Sequence, residues 1–228
     1  MADNPTPTPK APRSHAAQDQ ALANRTNEIR TKIIAAKGNA ELLALMQTRG
    51  VEAAEFDAGL SNCDAVQAAF DARQAAIIAV KDAGKVLKAA DAAVRSGYAD
   101  FRKIAQRVLK DNPTAKAALC LPERQLQDQQ KLLTNVETAY NSALSHSTYL
   151  KALATRGYDA DAIQAELDKL KALVQAGADL DAAQKASVRT TADRAAAAKA
   201  MDEWWADLCP VAEVALKGRP ELLGLLGL

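Results

Sequence analysis

Apolar residues recur every three or four positions along most of the chain, which is the spacing of one face of an α-helix. Between His15 and Thr48 the pattern predicts a first helix. Its apolar positions are Leu22, Ile29, Ile33, Ala36, Ala40, Leu43 and Met46. A mean spacing near 3.5 residues indicates nearly aligned helices that pack with a left-handed twist.

A second and much longer apolar stripe runs through residues 52–110, without a proline or a cluster of turn residues. One helix over this stretch would be about 90 Å long at 1.5 Å per residue, and the first helix only about 50 Å. The far half would then lack cover within its own part of the chain, so either another part of the chain or a second chain covers it, or the helix breaks. We favour long helices that bend or break near Gly84 and Gly177, over single uninterrupted helices across 52–110 and 159–217.

Sequence motifs recur at a constant offset. The triplet Thr-Arg-Gly occurs at 48–50 and again at 155–157, and Pro113 has a counterpart at the same offset in Pro220. We call the step from Gly50 to Gly157 the repeat offset. Internal repetition of this kind is typical of chains built from copied structural units. We predict two tandem copies of one helical unit, 15–121 and 122–228, after a Pro/Thr-rich leader, residues 1–14, which we expect to be flexible.

Each predicted copy carries helix-stop signals. Gly50 and Gly157 suit the position just after a helix, where glycine adopts a positive φ at little cost. Pro113 and Pro220 end the long helices, because proline cannot continue a helix but can begin one. Short apolar helices, 114–120 and 221–227, should then fold back onto a nearby aromatic group. The apolar tail is therefore expected to dock on the protein itself.

The composition supports an all-α class. Alanine is the commonest residue and aromatic residues make up only 4% of the chain. Alanine is the strongest helix former, and few residues remain that favour strands. Together with the repeat, this predicts an elongated antiparallel helical bundle made from two tandem copies of a long-helix unit.

The charge pattern argues against a nucleic-acid partner. There are 29 basic and 28 acidic residues, and the two signs alternate along the chain as on solvated helix faces. No apolar run is long enough to span a bilayer, and the tail lacks the basic residues of an interfacial helix. We expect neither nucleic-acid nor membrane binding, and a cytoplasmic location.

Candidate catalytic and metal chemistry is sparse. Cys63, Cys120 and Cys209 lie far apart and form no CxxC pair, so no disulfide framework or zinc site is indicated, and their redox state is open. His146 has no evident partner and is expected to be a surface or half-buried helical residue. No Glu-x-x-His pair or phosphate-binding glycine loop is present. We predict no enzyme, no cofactor and no metal site.

Three segments carry a resemblance to known proteins: RGY at 156–158, W-x-x-L at 205–208, and ALKGRPELLGLLGL at 215–228. This combination resembles a group of uncharacterised bacterial all-helical proteins, which end their units in an Arg-Pro-x-Leu-Leu-x-x-Leu-Gly segment. The resemblance implies a bacterial source and a helical bundle. It implies no activity and no functional residues.

The sequence therefore favours a non-enzymatic structural or protein-interaction module, which binds a protein partner or assembles as a homo-oligomer. Trp204, Leu225 and Leu228 are the candidate contact residues, because aromatic and apolar anchors dominate interface energetics when they are exposed. The alternative is a helical bundle that binds a small hydrophobic ligand or lipid in its core.

Overall fold

A computed structural model of the chain describes residues 15–121 and 128–228. This part of the chain contains eight helices and no strand, so the predicted all-α class is confirmed. The helices are α1 (His15–Lys37), α2 (Ala40–Gln47), α3 (Ala53–Val108), α4 (Pro113–Ala118), α5 (Gln129–Ser145), α6 (Ser147–Ala154), α7 (Ala160–Ala215) and α8 (Pro220–Leu226). The predicted leader, 1–14, lies outside the described residues.

The helix bounds recur at the repeat offset. Helices α6 and α7 begin and end at the repeat offset from α2 and α3, respectively. Helix α8 begins at the same offset from the start of α4. Local structure therefore follows the repeated pattern of apolar and turn residues. The origin of the chain as a tandem duplication stays a prediction.

The two long helices, α3 and α7, contain 56 residues each and continue without interruption through Gly84 and Gly177. The predicted break at these glycines is wrong. A glycine inside a helix costs only about 1 kcal/mol relative to alanine, and the neighbouring residues are strong helix formers. Pro210 is likewise accommodated inside α7, at an exposed position.

The prediction of one continuous helix from His15 to Thr48 is also wrong. The chain leaves the helix after Lys37 and re-enters it at Ala40, where Asn39 Oδ1 accepts a hydrogen bond from Leu42 N at 3.0 Å. An asparagine cap of this kind satisfies an otherwise unpaired amide of a new helix. The apolar period continues across the break, which is why periodicity alone does not reveal it.

The predicted glycine stops and the predicted helix starts at the prolines are confirmed, whereas the long helices end at Val108 and Ala215, before the prolines that were expected to end them. Gly50 and Gly157 have φ values of 82° and 86°. The amide of Val51 donates to the carbonyl of Met46 at 3.2 Å, which closes the end of α2 in the manner of a Schellman motif. Pro113 and Pro220 occupy the first positions of α4 and α8.

The described residues form two compact units that do not coincide with the predicted sequence copies. Unit 1 contains the described residues up to Ala75 together with Val188–Leu228: α1, α2, the first part of α3, the last part of α7, and α8. Unit 2 contains the described residues of Ala76–Ser187. Each unit therefore combines segments from both predicted copies, and the boundaries 15–121 and 122–228 stay a prediction about the sequence.

Each unit has its own apolar core. In unit 1, core 1 consists of the buried residues Ile29, Ile33, Ala36, Leu42, Met46, Val51, Phe56, Cys63, Val66, Met201, Leu208, Ala212, Leu216, Leu222 and Leu226. The first part of α3 and the last part of α7 meet in this core. The apolar tail docks there too, as predicted, because Leu222 and Leu226 of α8 are buried.

Core 2, in unit 2, is built around aromatic rings. Tyr98, Phe101 and Tyr140 are fully buried, and the rings of Phe101 and Tyr140 meet edge to face with centroids 4.8 Å apart. The hydroxyl groups of Tyr98 and Tyr140 have no hydrogen-bond partner within the part of the chain that the structure describes. Burial raises the pKa of Tyr98 to about 12.

Candidate interaction site

The three contact residues predicted from the sequence all belong to unit 1. Trp204 is half-buried on α7, and its indole lies so close to Gly59 of α3 that a Cβ added there would overlap the ring. Leu225 is half-buried and packs against core 1, and Leu228 is 40% exposed. Their role in binding a partner stays a prediction.

His146 lies at the N-cap of α6, between two helices, so its predicted place inside a helix is wrong. It is exposed, its Nδ1 is 2.9 Å from the carbonyl oxygen of Ser142, and its ring stacks on Tyr149. Its hydrogen bonds among the described residues are to serine and backbone groups.

The three cysteines are free thiols in different settings. Cys63 is buried in core 1, and burial raises its pKa; burial also raises the pKa of the half-buried Cys209. Cys120 is exposed and has a φ of 46°.

Over residues 15–121 and 128–228, no group of His, Cys, Asp and Glu side chains is arranged to hold a metal ion. Nor does any helix in those ranges have the length and apolarity to cross a membrane.

An apolar groove of about 550 Å³ opens on unit 2. Its walls are aliphatic and come from three helices: Leu87 of α3, Leu133 of α5, and Leu173 and Val174 of α7. Leu173 is buried, Leu87 and Leu133 are half-buried, and Val174 is 59% exposed. We call this feature the unit 2 groove. Its volume falls in the range of sites that take apolar groups of other molecules.

Two glycines, Gly84 of α3 and Gly177 of α7, leave space in the groove. A Cβ added at either position would meet no atom within 4 Å. At the repeat offset, unit 1 has Thr191 in place of Gly84 and Phe70 in place of Gly177. The groove therefore lies where Gly84 of the first copy has no counterpart to the side chain of Thr191, and where Gly177 of the second copy has no counterpart to the phenyl ring of Phe70.

Few charges border the unit 2 groove. Asp91 is engaged by Arg95 within α3, at 2.8 Å between Oδ2 and Nε. Lys88, also at the rim, is exposed and forms no ion pair with the residues that the structure describes. The groove thus offers apolar walls and the available cation of Lys88, a combination suited to an apolar group that carries a nearby negative charge.

Unit 1 carries charged residues at the corresponding place. Asp19 of α1 accepts hydrogen bonds from Arg73 of α3, at 2.9 Å between Oδ2 and Nη1, and from Arg194 of α7. All three side chains are nearly buried, with exposures of 13%, 11% and 13% respectively. At the repeat offset the two arginines correspond to Leu180 and Leu87 of unit 2.

Comparison with known proteins identifies no relative of this chain. No family model, curated protein or solved structure matches this chain. The resemblance to bacterial all-helical proteins therefore stays a prediction. The candidate site rests on the geometry and chemistry of the chain itself.

Sequence analysis missed the groove, although its signal was present. Gly84 and Gly177 stand out when the two copies are aligned, because they lie opposite Thr191 and Phe70. The prediction treats them as points of helix breakage. A glycine opposite a large side chain in an otherwise continuous helix can equally mark a place where another group approaches closely.

Proposed function

We propose that the protein is a non-enzymatic interaction module that binds apolar side chains of a protein partner in the unit 2 groove. The observation that carries this proposal is the aliphatic lining of the groove, with the exposed Val174 beside the open space at Gly84 and Gly177. Full burial of a leucine or valine side chain contributes about 1.5–3 kcal/mol, so two or three partner side chains could anchor a complex.

The groove lining supports binding rather than catalysis. Its polar residues are Lys88 and Asp91, and the carboxylate of Asp91 is already paired with Arg95. A nucleophile held by a neighbouring base, as acyl or phosphoryl transfer would need, is not among the lining residues. A cytoplasmic location and a bacterial source stay predictions from the sequence.

A filled groove provides the direct test. Gly177→Phe introduces the residue that unit 1 has at the corresponding position, and its Cβ meets no atom within 4 Å. The helix should tolerate the change, because phenylalanine has a higher helix propensity than glycine. We expect an unchanged or raised midpoint of urea unfolding together with a loss of partner binding.

The partner can be found with a photo-reactive residue. Benzoylphenylalanine at position 174, in the groove, should cross-link a protein in cells of the source organism. The same residue at position 188, an exposed valine of α7 in unit 1, serves as the control. The cross-linked protein is then purified and titrated calorimetrically. We expect Gly177→Phe to weaken binding at least tenfold, which corresponds to about 1.4 kcal/mol. Equal cross-linking from both positions, or unchanged affinity, would contradict the proposal.

The second candidate is a small hydrophobic ligand, favoured by the groove volume of about 550 Å³. It predicts that the apolar dye Nile red binds the native chain and that Gly177→Phe removes this binding. It also predicts a co-purifying molecule in native mass spectrometry. Dye binding without any groove-dependent protein partner would favour this candidate over the interaction module.

The partner could also be a second copy of the chain. Size-exclusion chromatography with light scattering then gives twice the chain mass, and Gly177→Phe returns it to one chain. A monomer at high micromolar concentration would contradict self-association while leaving a different protein partner open to the cross-linking test.

A further inference from the structure

We infer that a pocket beside Trp204 in unit 1 binds a lysine side chain of a protein partner. The pocket has a volume of about 140 Å³, and we call it the Trp204 pocket. It is lined by Val51, Glu55, Trp204, Asp207, Leu208 and Val211, all of which belong to unit 1. The inference goes beyond the proposed function and does not depend on the unit 2 groove.

The Trp204 pocket combines an aromatic ring with two carboxylates. Glu55 of α3 and Asp207 of α7 are exposed, and neither forms an ion pair with any residue that the structure describes. The indole of Trp204 lies against Gly59 of α3, which fixes its position. Carboxylates attract a cation, and so does the face of a tryptophan ring. The pocket therefore offers two kinds of attraction to one cation.

The neighbouring tryptophan shows how a cation from within the chain uses such a ring. The Nζ atom of Lys32 lies 5.6 Å from the centroid of the Trp205 ring and 2.6 Å from Oε1 of Glu28. One ammonium group is thus shared between an indole and a carboxylate. Within the described part of the chain, no cation takes the equivalent place over Trp204. Its occupant is therefore expected from outside the described residues.

The leader is too short to place either of its basic side chains in this pocket. It joins α1 at His15, and Asp19, one turn later, contacts Arg73 of α3. Glu55 lies 18 residues from Arg73 along α3, which is about 27 Å at 1.5 Å per residue. Lys10, the basic residue farther from α1, is five residues from His15, at most about 17 Å along an extended chain. The leader therefore does not supply the cation.

The size and walls of the pocket favour a single lysine side chain. Its volume lies below the range of about 300–1,000 Å³ that is typical of sites for whole small molecules. Val51 and Leu208 are buried and Val211 is half-buried, so they form an apolar wall beside the carboxylates. A lysine buries its hydrocarbon stem against such a wall and keeps its ammonium group among polar groups.

The probe is lysine with an acetylated α-amino group and a carboxyl methylamide, which resembles a lysine within a polypeptide. Norleucine with the same caps is the control compound, because it has the same four-carbon stem and no ammonium group. Each compound is titrated into the full chain at constant ionic strength. Nitrogen–proton correlation spectra follow the indole N–H resonance of Trp204. The chain has two tryptophans, and the resonance that is lost in Trp204→Phe identifies it.

We expect the lysine compound to shift this resonance in a saturable way and to bind at least tenfold more tightly than the norleucine compound. A chain with Glu55→Gln and Asp207→Asn should bind the lysine compound at least fivefold more weakly. The matched control is Glu52→Gln with Glu213→Gln, which removes two exposed carboxylates that do not line the pocket, and it should change the affinity less than twofold. Circular dichroism checks that both variants stay folded.

Equal affinity of the lysine and norleucine compounds would overturn the inference, as would equal effects of the two double variants. Tighter binding of tetramethylammonium than of the lysine compound would also overturn it, because a small quaternary ammonium compound would then be the ligand. The chain's own cations outside the described residues are tested together, by changing Lys10, Arg13 and Arg124 to glutamine. If this change moves the Trp204 resonance without any ligand, the chain itself occupies the pocket and the inference fails. None of these outcomes involves the unit 2 groove, so failure here is distinct from failure of the proposed function.

Discussion

The charged cluster of Asp19, Arg73 and Arg194 gives the sharpest prediction about stability. We would replace Asp19 with leucine, alone and together with Arg73→Leu and Arg194→Leu. The triple variant gives unit 1 leucines in place of both arginines, as unit 2 has at Leu180 and Leu87. Comparison of the two variants separates the cost of an unpaired charge from the value of the charged cluster itself.

The expected magnitudes follow from burial. The arginine side chains are 11% and 13% exposed, so without Asp19 two cations would remain close together with little access to water. Removal of one partner from a buried ion pair costs about 3–5 kcal/mol, whereas replacement of a whole buried cluster by apolar residues is often neutral or stabilising by about 1–4 kcal/mol. We expect Asp19→Leu to destabilise unit 1 by about 3 kcal/mol and the triple variant to regain this loss.

The chain has separate optical signals for the two units. Both tryptophans, Trp204 and Trp205, belong to unit 1, whereas the four tyrosines belong to unit 2. Urea unfolding followed by tryptophan fluorescence should shift with Asp19→Leu, and the tyrosine absorbance transition should shift less. Asp193→Leu is the matched control. It removes an exposed carboxylate that is 3.7 Å from Arg189, and such pairs contribute about 0–1 kcal/mol.

Two results would refute this reasoning. A cost below about 1 kcal/mol for Asp19→Leu, the value of an exposed pair, would mean that the arginines are solvated or find another partner. A triple variant no more stable than the single variant would mean that the charged residues have a packing role that leucine cannot take.

Three other predictions concern backbone conformation, buried hydroxyls and close packing. Cys120→Gly should stabilise unit 2 by about 1 kcal/mol in urea unfolding, because the cysteine has a φ of 46° that favours glycine; a lower midpoint would contradict this. Burial raises the pKa of Tyr98 from 10 to about 12, so the stability that the neutral Tyr98 contributes to unit 2 should be fully present below pH 10 and lost as the pH rises towards 12. Tyr98→Phe should reduce this loss of stability at alkaline pH. An unchanged dependence of the free energy of unfolding on pH would contradict the role of Tyr98. Gly59→Ala should lower the free energy of unfolding by about 1–3 kcal/mol, because its methyl group would meet the indole of Trp204. Gly97→Ala, which would meet only a flexible carboxylate, should cost less, and equal costs would contradict the packing argument.

Local signals predicted much of the fold. Gly50 follows the end of α2 because glycine adopts a positive φ at little cost. Pro113 begins α4 because the first residue of a helix does not need the amide N–H that proline lacks. Both depend on one or two neighbouring residues, so they can be read from the sequence. The break at Asn39 is equally local, and its cap residue could have revealed it.

Long-range information was harder to obtain. Periodicity shows that the stripe of α3 is apolar, but it does not show that the first part of α3 meets the last part of α7 in core 1. The unit 2 groove depends on the same pairing, because Leu87, Leu133 and Val174 come from three separate helices. Only the contrasts of Gly84 with Thr191 and of Gly177 with Phe70 gave a sequence signal for it.

The discontinuous make-up of unit 1 has a consequence for synthesis on the ribosome. Unit 2 is a single stretch of chain, Ala76–Ser187, and can assemble as soon as that stretch has emerged. The part of the apolar face of α1 that packs against α8 stays uncovered until α8 is translated, after the whole of unit 2 has been made. We expect nascent chains to display this face to chaperones during most of their elongation, because unburied apolar surface is what makes incomplete chains prone to aggregate.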